Sequence, residues 1–188
     1  ITNANATTSG ISKAANNAVF VQGEGVITAE NCVFNIAKAT AITSWWSSAS
    51  TNPSAKWNNV IVKGCTFNCN GNRPLQIEGN ATIEGCTFND PYRYAAQLTA
   101  GNTASETVVI NFNNNTIEQS KTSGKPTYGL QLTCDYGNSN LIINGSGNTI
   151  VDRDSEDALY VWEAGTGASN GKVNLSTITF NTADGKLY

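Results

Sequence analysis

The densest group of acidic side chains in this chain lies in the segment VDRDSED (151–157), and Glu163 follows shortly after it. Two carboxylates at a suitable separation can act as acid and base on a glycosidic bond. The candidates for such catalysis are Asp152, Asp154, Asp157 and Glu163. A solvated acidic turn accounts for the same charges without chemistry, and it is the interpretation that the sequence favours.

The same segment is a candidate for binding calcium. Asp152, Asp154 and Glu156 supply carboxylate oxygens, the ligand type that Ca²⁺ prefers. In the stretch DRDSEDALYVWE, however, Asp157 stands at the sixth position, where an EF-hand loop requires glycine, and the flanks read as strands, so the sequence argues against an EF-hand. We expect no cofactor, and a calcium ion held between turns of the chain is the one alternative left open.

A second group of candidates comes from short segments in which apolar and polar residues alternate: AVFVQ (18–22), AITSW (41–45), PLQIE (74–78), AAQLT (95–99), GLQLT (129–133) and ALYVW (158–162). If one set of side chains faces inward, the other set faces outward in two columns. The first column contains Phe20, Thr43, Gln76, Gln97, Gln131 and Tyr160. The second contains Gln22, Trp45, Glu78, Thr99, Thr133 and Trp162.

Two interpretations compete for these outward columns. The favoured one is a solvated sheet face, in which stacked glutamine amides pair between successive strands. The alternative is a surface that binds a glycan, because sugars have apolar ring faces and hydroxyl rims that suit aromatic planes beside amides. The candidate ligand-binding residues are Trp45, Gln76, Glu78, Arg93, Gln97, Gln131, Tyr160 and Trp162.

The elements that must position these residues repeat along the chain. The repeated motif reads NCVFN (31–35), GCTFN (64–68), GCTFN (85–89), NNTIE (114–118), GNTIV (147–151) and TITFN (177–181). Its apolar anchors are Phe34, Phe67, Phe88, Ile117, Ile150 and Phe180, separated by 33, 21, 29, 33 and 30 residues. Strands that recur at this period without helices between them stack as a solenoid. The sequence predicts about six coils with at least two strands in each.

The cysteines fall into the same repeat. Cys32, Cys65 and Cys86 each lie two residues before an anchor and should therefore face inward, and Asn115 and Asn148 occupy the same position in later coils. We predict a buried column of thiols that an asparagine ladder continues, rather than disulfides or a metal site. Two further cysteines, at positions 69 and 134, lie outside this column, and whether they pair is left open.

This pattern resembles the pectin-lyase-like superfamily, whose coils often read I-x-x-N-T-I or I-x-G-C-x-F. The resemblance covers residues 18–181 and implies an all-β, right-handed parallel β-helix. It also implies two kinds of activity. Lyases of this fold use an Arg or Lys base, often beside Ca²⁺, and hydrolases use paired carboxylates. Arg73, Arg93 or Arg153 could supply such a base, although no lyase motif matches residue by residue.

Composition limits the classes of partner. The 188 residues suit one domain, 1–188, and a net charge of −3 gives no basic surface for nucleic acid. No stretch approaches the ~20 apolar residues that span a bilayer, so we expect no membrane insertion within this segment. The chain contains no Met and its first residues do not form a signal peptide, which favours a piece of a larger secreted or cell-surface protein.

The leading hypothesis is a non-catalytic, extracellular module, from a bacterial surface protein by its composition. It would serve in adhesion or display, with carbohydrate or a host or cell-surface glycan as partner. The alternative is a polysaccharide hydrolase or lyase, or part of one, and a third interpretation is a stalk without a ligand. The oligomeric state is left open.

Overall fold

The computed structural model describes residues 2–3, 17–22, 26–37, 39–45, 59–69, 73–92, 94–100, 107–118, 129–134, 139–151, 159–163, 172–175 and 178–182. Within these ranges there is no helix with the length and apolar character needed to cross a membrane. The strands found there are β1 (Thr2–Asn3), β2 (Asn17–Gln22), β3 (Val26–Glu30), β4 (Val33–Ile36), β5 (Thr40–Trp45), β6 (Asn59–Lys63), β7 (Thr66–Asn68), β8 (Leu75–Glu78), β9 (Asn80–Glu84), β10 (Thr87–Asn89), β11 (Ala96–Ala100), β12 (Thr107–Asn113), β13 (Thr116–Glu118), β14 (Leu130–Cys134), β15 (Asn140–Asn144), β16 (Asn148–Val151), β17 (Leu159–Glu163), β18 (Lys172–Asn174) and β19 (Phe180–Thr182).

The strands form three sheets, each of which takes every third strand of the chain. Sheet A runs β1-β4-β7-β10-β13-β16-β19, sheet B runs β2-β5-β8-β11-β14-β17, and sheet C runs β3-β6-β9-β12-β15-β18. The strand pairings are parallel throughout. Each coil therefore adds one strand to each sheet, and the fold is a parallel β-helix of six coils, as the repeat predicted.

Each coil has three strands because the chain bends sharply at the first residue of the repeated motif. The residue at this corner has a positive φ in five successive coils: 52° at Asn31, 58° at Gly64, 62° at Gly85, 53° at Asn114 and 70° at Gly147. Glycine and asparagine adopt this left-handed conformation more readily than other residues. The residues around each corner therefore form two strands, one in sheet C and one in sheet A. With the strand in sheet B each coil has three strands, in agreement with the prediction of at least two.

The anchors fill one continuous interior. The rings of Phe34 and Phe67 stack with centroids 4.9 Å apart, and so do those of Phe67 and Phe88. Phe112 extends the stack, with its centroid 6.2 Å from that of Phe88. These side chains and Ile117 are buried in one cluster. The prediction that successive anchors lie directly over one another is confirmed for these coils.

The last coil departs from the predicted alignment. The sequence placed Phe180 over Ile150, but Phe180 pairs with Asn148 and Thr182 pairs with Ile150. Thr179 stands where the preceding coil has Gly147 at its corner. A β-branched residue is a poor substitute for glycine or asparagine at a left-handed corner, and the final motif is offset by two residues. The prediction for Phe180 was wrong.

Candidate functional site

The outward columns of sheet B are aligned in the structure as the alternation predicted, apart from the last coil of the second column. In the first column Thr43, Gln76, Gln97 and Gln131 are successive partners. In the second column Glu78, Thr99 and Thr133 are successive partners. We call these seven residues the sheet B face.

Most of the sheet B face is shielded from water. Gln131 has no exposed surface (0%), and Thr43, Glu78, Thr99 and Thr133 are also buried. Only the glutamines of the two preceding coils in the first column are partly exposed. The favoured interpretation of a solvated face is therefore wrong for five of the seven residues of the sheet B face.

Gln131 is the most unusual member of the sheet B face. Neither its Nε2 nor its Oε1 has a hydrogen-bond partner in the part of the chain that the structure describes. A buried polar group left in this state costs about 1–3 kcal/mol. The interpretation in which stacked glutamine amides pair along the axis therefore fails at this residue.

In sheet A of the same protein, the stacked amides of successive coils form hydrogen bonds with one another. There Asn68 donates from Nδ2 to Oδ1 of Asn35, and Asn89 donates to Oδ1 of Asn68, both at 2.6 Å. The coil spacing thus allows stacked amides to bond to one another. Gln131 also lies next to a glutamine, Gln97, on the preceding coil. Neither the Nε2 nor the Oε1 of Gln131, however, has a hydrogen-bond partner among the described residues.

Thr133 provides a second unmatched group beside the first. Its Oγ1 is buried and has no hydrogen-bond partner among the described residues. Thr133 follows Gln131 by two positions on strand β14, so the two side chains share a face with about 6.6 Å between their backbone positions. An amide and a hydroxyl together present donors and acceptors in one small region, which suits a ligand whose own groups both donate and accept.

Arg73 contacts the partly exposed middle of the first column. Nη1 of Arg73 donates a hydrogen bond to Oε1 of Gln97. The guanidinium carbon of Arg73 also lies 5.4 Å from the ring centroid of Tyr94, within the range of a cation–π interaction. These contacts fix which way the Gln97 amide points, because its oxygen is turned toward the arginine.

The second column is anchored from inside the coil. The buried hydroxyl of Ser44 accepts a hydrogen bond from the backbone N–H of Glu78 at 3.0 Å and donates to the Glu78 carbonyl oxygen at 3.1 Å. These bonds tie strand β5 to strand β8 at the level of Glu78. The backbone that carries this buried carboxylate is therefore fixed.

The inward column of cysteines and asparagines is present as predicted, and it has one common hydrogen-bond pattern. After Cys32, each side chain of the column donates to a backbone carbonyl oxygen in the preceding coil: Cys65 Sγ to Ala29 at 3.4 Å, Cys86 Sγ to Val62 at 3.6 Å, Asn115 Nδ2 to Ile83 at 3.0 Å and Asn148 Nδ2 to Phe112 at 2.8 Å. The two asparagines also bond to each other, because Asn115 Nδ2 donates to Asn148 Oδ1 at 3.2 Å. The column is structural, because each of its donors is used by the backbone.

Three of the buried thiols are poorly suited to nucleophilic or metal chemistry. No disulfide joins the five cysteines, all of which belong to the described residues. Burial raises the pKa of Cys69 to about 12 and that of Cys86 to about 11, and it also raises the pKa of Cys65. The thiolate forms that attack electrophiles or bind metals are therefore disfavoured. In the described ranges no three His, Cys, Asp or Glu side chains are grouped so as to hold a metal ion.

Several predicted site residues lie outside the described residues. They are the ribbon-edge candidate Arg93 and the acidic-turn candidates Asp152, Asp154, Glu156 and Asp157. The catalytic and calcium-binding hypotheses for this turn stay predictions.

For the remaining candidates the structure describes the backbone but not the side chain. Trp45 belongs to strand β5, and Tyr160, Trp162 and Glu163 belong to strand β17. Tyr160 pairs with Gln131, as the alternation predicted. The partner of Thr133, however, is Glu163 and not Trp162, because the register shifts after Leu132. The placement of Trp162 in the second column was wrong.

Four residues that contribute to the sheet B face were absent from the list of ligand-binding candidates: Thr43, Thr99, Thr133 and Arg73. Thr133 could have been included, since it occupies the same column as Glu78. Arg73 precedes its strand, and its contact with Gln97 depends on how one coil lies over the next, which no local pattern encodes.

The chain was compared with known families, proteins and structures. No family model, curated protein or solved structure matches it. The fold assignment therefore rests on the three parallel sheets and their register, and the function has to be argued from the sheet B face.

Proposed function

We propose that this chain is an extracellular β-helix module of the pectin-lyase-like type, serving in adhesion or display, and that it recognises carbohydrate through the sheet B face. The observation that carries the proposal is the buried amide of Gln131, whose donor and acceptor are both unmatched among the described residues. The protein without ligand is less stable because this buried amide lacks hydrogen bonds. A ligand that forms those hydrogen bonds restores the lost stability.

Carbohydrate suits these groups better than an apolar ligand does. Each sugar hydroxyl both donates and accepts, so adjacent hydroxyls can satisfy the amide of Gln131 and the hydroxyl of Thr133 together. The spacing also fits, since neighbouring coils place their side chains about 4.8 Å apart, close to the dimension of one sugar ring. A site built around buried hydrogen-bonding groups discriminates strongly against ligands that lack the matching group.

Access to the buried amide runs along the first column. Gln76 and Gln97 are partly exposed and lie on the two coils before Gln131. A glycan that contacts these glutamines would be aligned with the helix axis and would reach the buried residue at the next coil. Arg73 supports this part of the column through its bond to Gln97.

The proposal can be tested with Gln131→Leu. The expected result is loss of binding on a glycan array without loss of stability, because replacing an unmatched buried amide with an apolar side chain is neutral or stabilising. The matched control is Asn111→Leu, which changes a half-buried amide on the outward side of strand β12 in sheet C. This control should bind glycans as the wild type does.

Three results would count against the proposal. The wild type would bind no glycan, the Gln131→Leu variant would bind as well as the wild type, or that variant would melt well below it. The last result would mean that the amide is already satisfied in the free protein. Release of reducing ends or unsaturated products from a bound glycan would instead support the enzyme alternative.

A further inference from the structure

The buried amide of Gln131 lacks a bond that stacked amides form elsewhere in this protein. In sheet A the side-chain oxygens of Asn35 and Asn68 each accept from the amide nitrogen of the following coil. Gln97 and Gln131 are partners on neighbouring strands of sheet B in the same way. Neither Nε2 nor Oε1 of Gln131, however, bonds to any described residue. The spacing of the strands therefore does not explain why these two glutamines fail to bond.

The side-chain oxygen of Gln97 is bonded from the opposite direction along the stack. It accepts from Nη1 of Arg73, which comes just before strand β8 and so belongs to the preceding coil. The corresponding oxygens of sheet A accept from the following coil instead. The amide of Gln97 is therefore reversed relative to the amides of sheet A, because its oxygen is directed toward Arg73 and not toward the coil that carries Gln131.

Arg73 is itself fixed at both its backbone and its guanidinium. The next residue, Pro74, has a restricted φ, and its carbonyl oxygen accepts from the backbone N–H of Ala41 at 3.0 Å. The guanidinium carbon lies 5.4 Å from the ring centroid of Tyr94, and Tyr94 is buried. A side chain held in this way loses little further freedom when it bonds to Gln97.

We propose that Arg73 is a positioning residue that controls the sheet B face: by holding the oxygen of Gln97 it prevents a glutamine ladder from closing, and so keeps the amide of Gln131 available to a glycan. This inference rests on the proposed function, because it concerns the same site. Without Arg73 the amide of Gln97 is free to turn over, and its oxygen then accepts from Nε2 of Gln131 as in sheet A. A glycan would have to break that bond, so its affinity should fall about fivefold, the equivalent of one hydrogen bond.

The first experiment asks whether Arg73 decides the state of the Gln131 amide, and it needs no ligand. Urea denaturation compares the effect of Gln131→Leu in two backgrounds, the wild type and Arg73→Met. In the wild type the substitution removes an unmatched amide, so the midpoint should stay or rise. In Arg73→Met it removes an amide whose nitrogen is bonded, so the midpoint should fall relative to Arg73→Met alone. Equal shifts in both backgrounds would show that the two side chains are not coupled, and the proposal would be wrong.

The second experiment observes the amide directly by NMR. The side-chain NH₂ signals of Gln131 are assigned by their loss in Gln131→Leu. They should move downfield in Arg73→Met, because the ladder bond forms, and should keep the wild-type position in Arg73→Lys, which retains a cationic donor. Lys63→Met is the matched control, since Lys63 is a cation of sheet C that pairs with Glu84 at 3.4 Å. Unchanged signals in Arg73→Met would overturn the proposal, whereas a purely structural role for Arg73 would not move them in this selective way.

Glycan binding separates a failure of this inference from a failure of the proposed function. The probe is a glycan array, followed by calorimetric titration of the arrayed glycan that the wild type binds most tightly. Arg73→Met should bind it about fivefold more weakly than the wild type, and Lys63→Met should bind it equally well.

The outcomes differ for the two proposals. If no arrayed glycan binds but the midpoints and the Gln131 signals change as expected, the proposed function fails and the control by Arg73 stands. If glycans bind and Arg73→Met changes neither the signals nor the affinity, the proposed function stands and this inference is wrong. A loss of affinity with unchanged Gln131 signals would mean that Arg73 contacts the glycan directly, which also contradicts the inference.

Discussion

Asn115 offers the most direct test of how the coils are held together. Its Oδ1 accepts from the backbone N–H of Cys86 at 2.9 Å, and its Nδ2 donates to the carbonyl oxygen of Ile83 at 3.0 Å. In Asn115→Ala both backbone groups lose these partners in the interior. At about 1–3 kcal/mol for each unmatched group, the loss of stability should be about 2–6 kcal/mol.

Asn115→Cys should be much less harmful than Asn115→Ala. Cys86 occupies the equivalent position one coil earlier, and its Sγ donates to the carbonyl oxygen of Val62 just as Asn115 does to that of Ile83. A thiol at position 115 can therefore restore the donor, with a weaker bond. Asn115→Val is the control for volume, because it fills the space without donating.

The assay is urea denaturation of the three variants and the wild type, supported by thermal melting. The midpoint should fall most for Ala, nearly as much for Val and least for Cys, with similar slopes. For a chain of this length, Tm should fall by roughly 5–20 °C in Asn115→Ala. If Val were as stable as Cys, packing rather than hydrogen bonding would explain the column, and the reasoning would be refuted.

Three further predictions follow from the interior and the corners. Phe67→Ala should cost about 3–5 kcal/mol in urea denaturation, and more than Phe34→Ala, because Phe67 stacks against two rings. Gly64→Ala should destabilise the protein more than Gly85→Ala, although both glycines have a positive φ. An added Cβ would lie 2.6 Å from the side-chain oxygen of Asn31 at Gly64, whereas it would lie in nearly open space at Gly85. Equal losses would contradict this. Since burial raises the pKa of Cys69 from 9.0 to about 12, the contribution of Cys69 to stability should be constant below pH 9 and decline as pH rises from 9 toward 12, where the unfolded chain loses a proton that the folded protein keeps. Denaturation midpoints across that range would show it. Cys69→Ala is the control, and its stability should decline less than that of the wild type but should not be constant, because burial also raises the pKa values of Cys65 and Cys86.

The corners show a feature that the sequence contained but the initial interpretation did not use. Asn or Gly precedes the cysteine or asparagine of the inward column in five copies of the motif, and these are the residues with positive φ. A left-handed residue at a fixed place in each copy predicts a bend there. Three strands per coil could therefore have been predicted from the motif alone.

The sequence by itself determined the stacking of the coils and the content of the interior. The spacing of the motif placed Phe67 over Phe34 and Asn148 over Asn115, because side chains alternate strictly along a strand and identical motifs pack best on one another.

Only the tertiary structure decided the state of the sheet B face. Alternation says that Gln131 points outward, but it does not say whether water reaches that side chain or whether its amide meets a partner, since both depend on atoms far away in the chain. The register shift that pairs Glu163 with Thr133 also depends on how one coil packs on the next. Local patterns encode direction, whereas burial and hydrogen-bond matching are set by the packing of the whole stack.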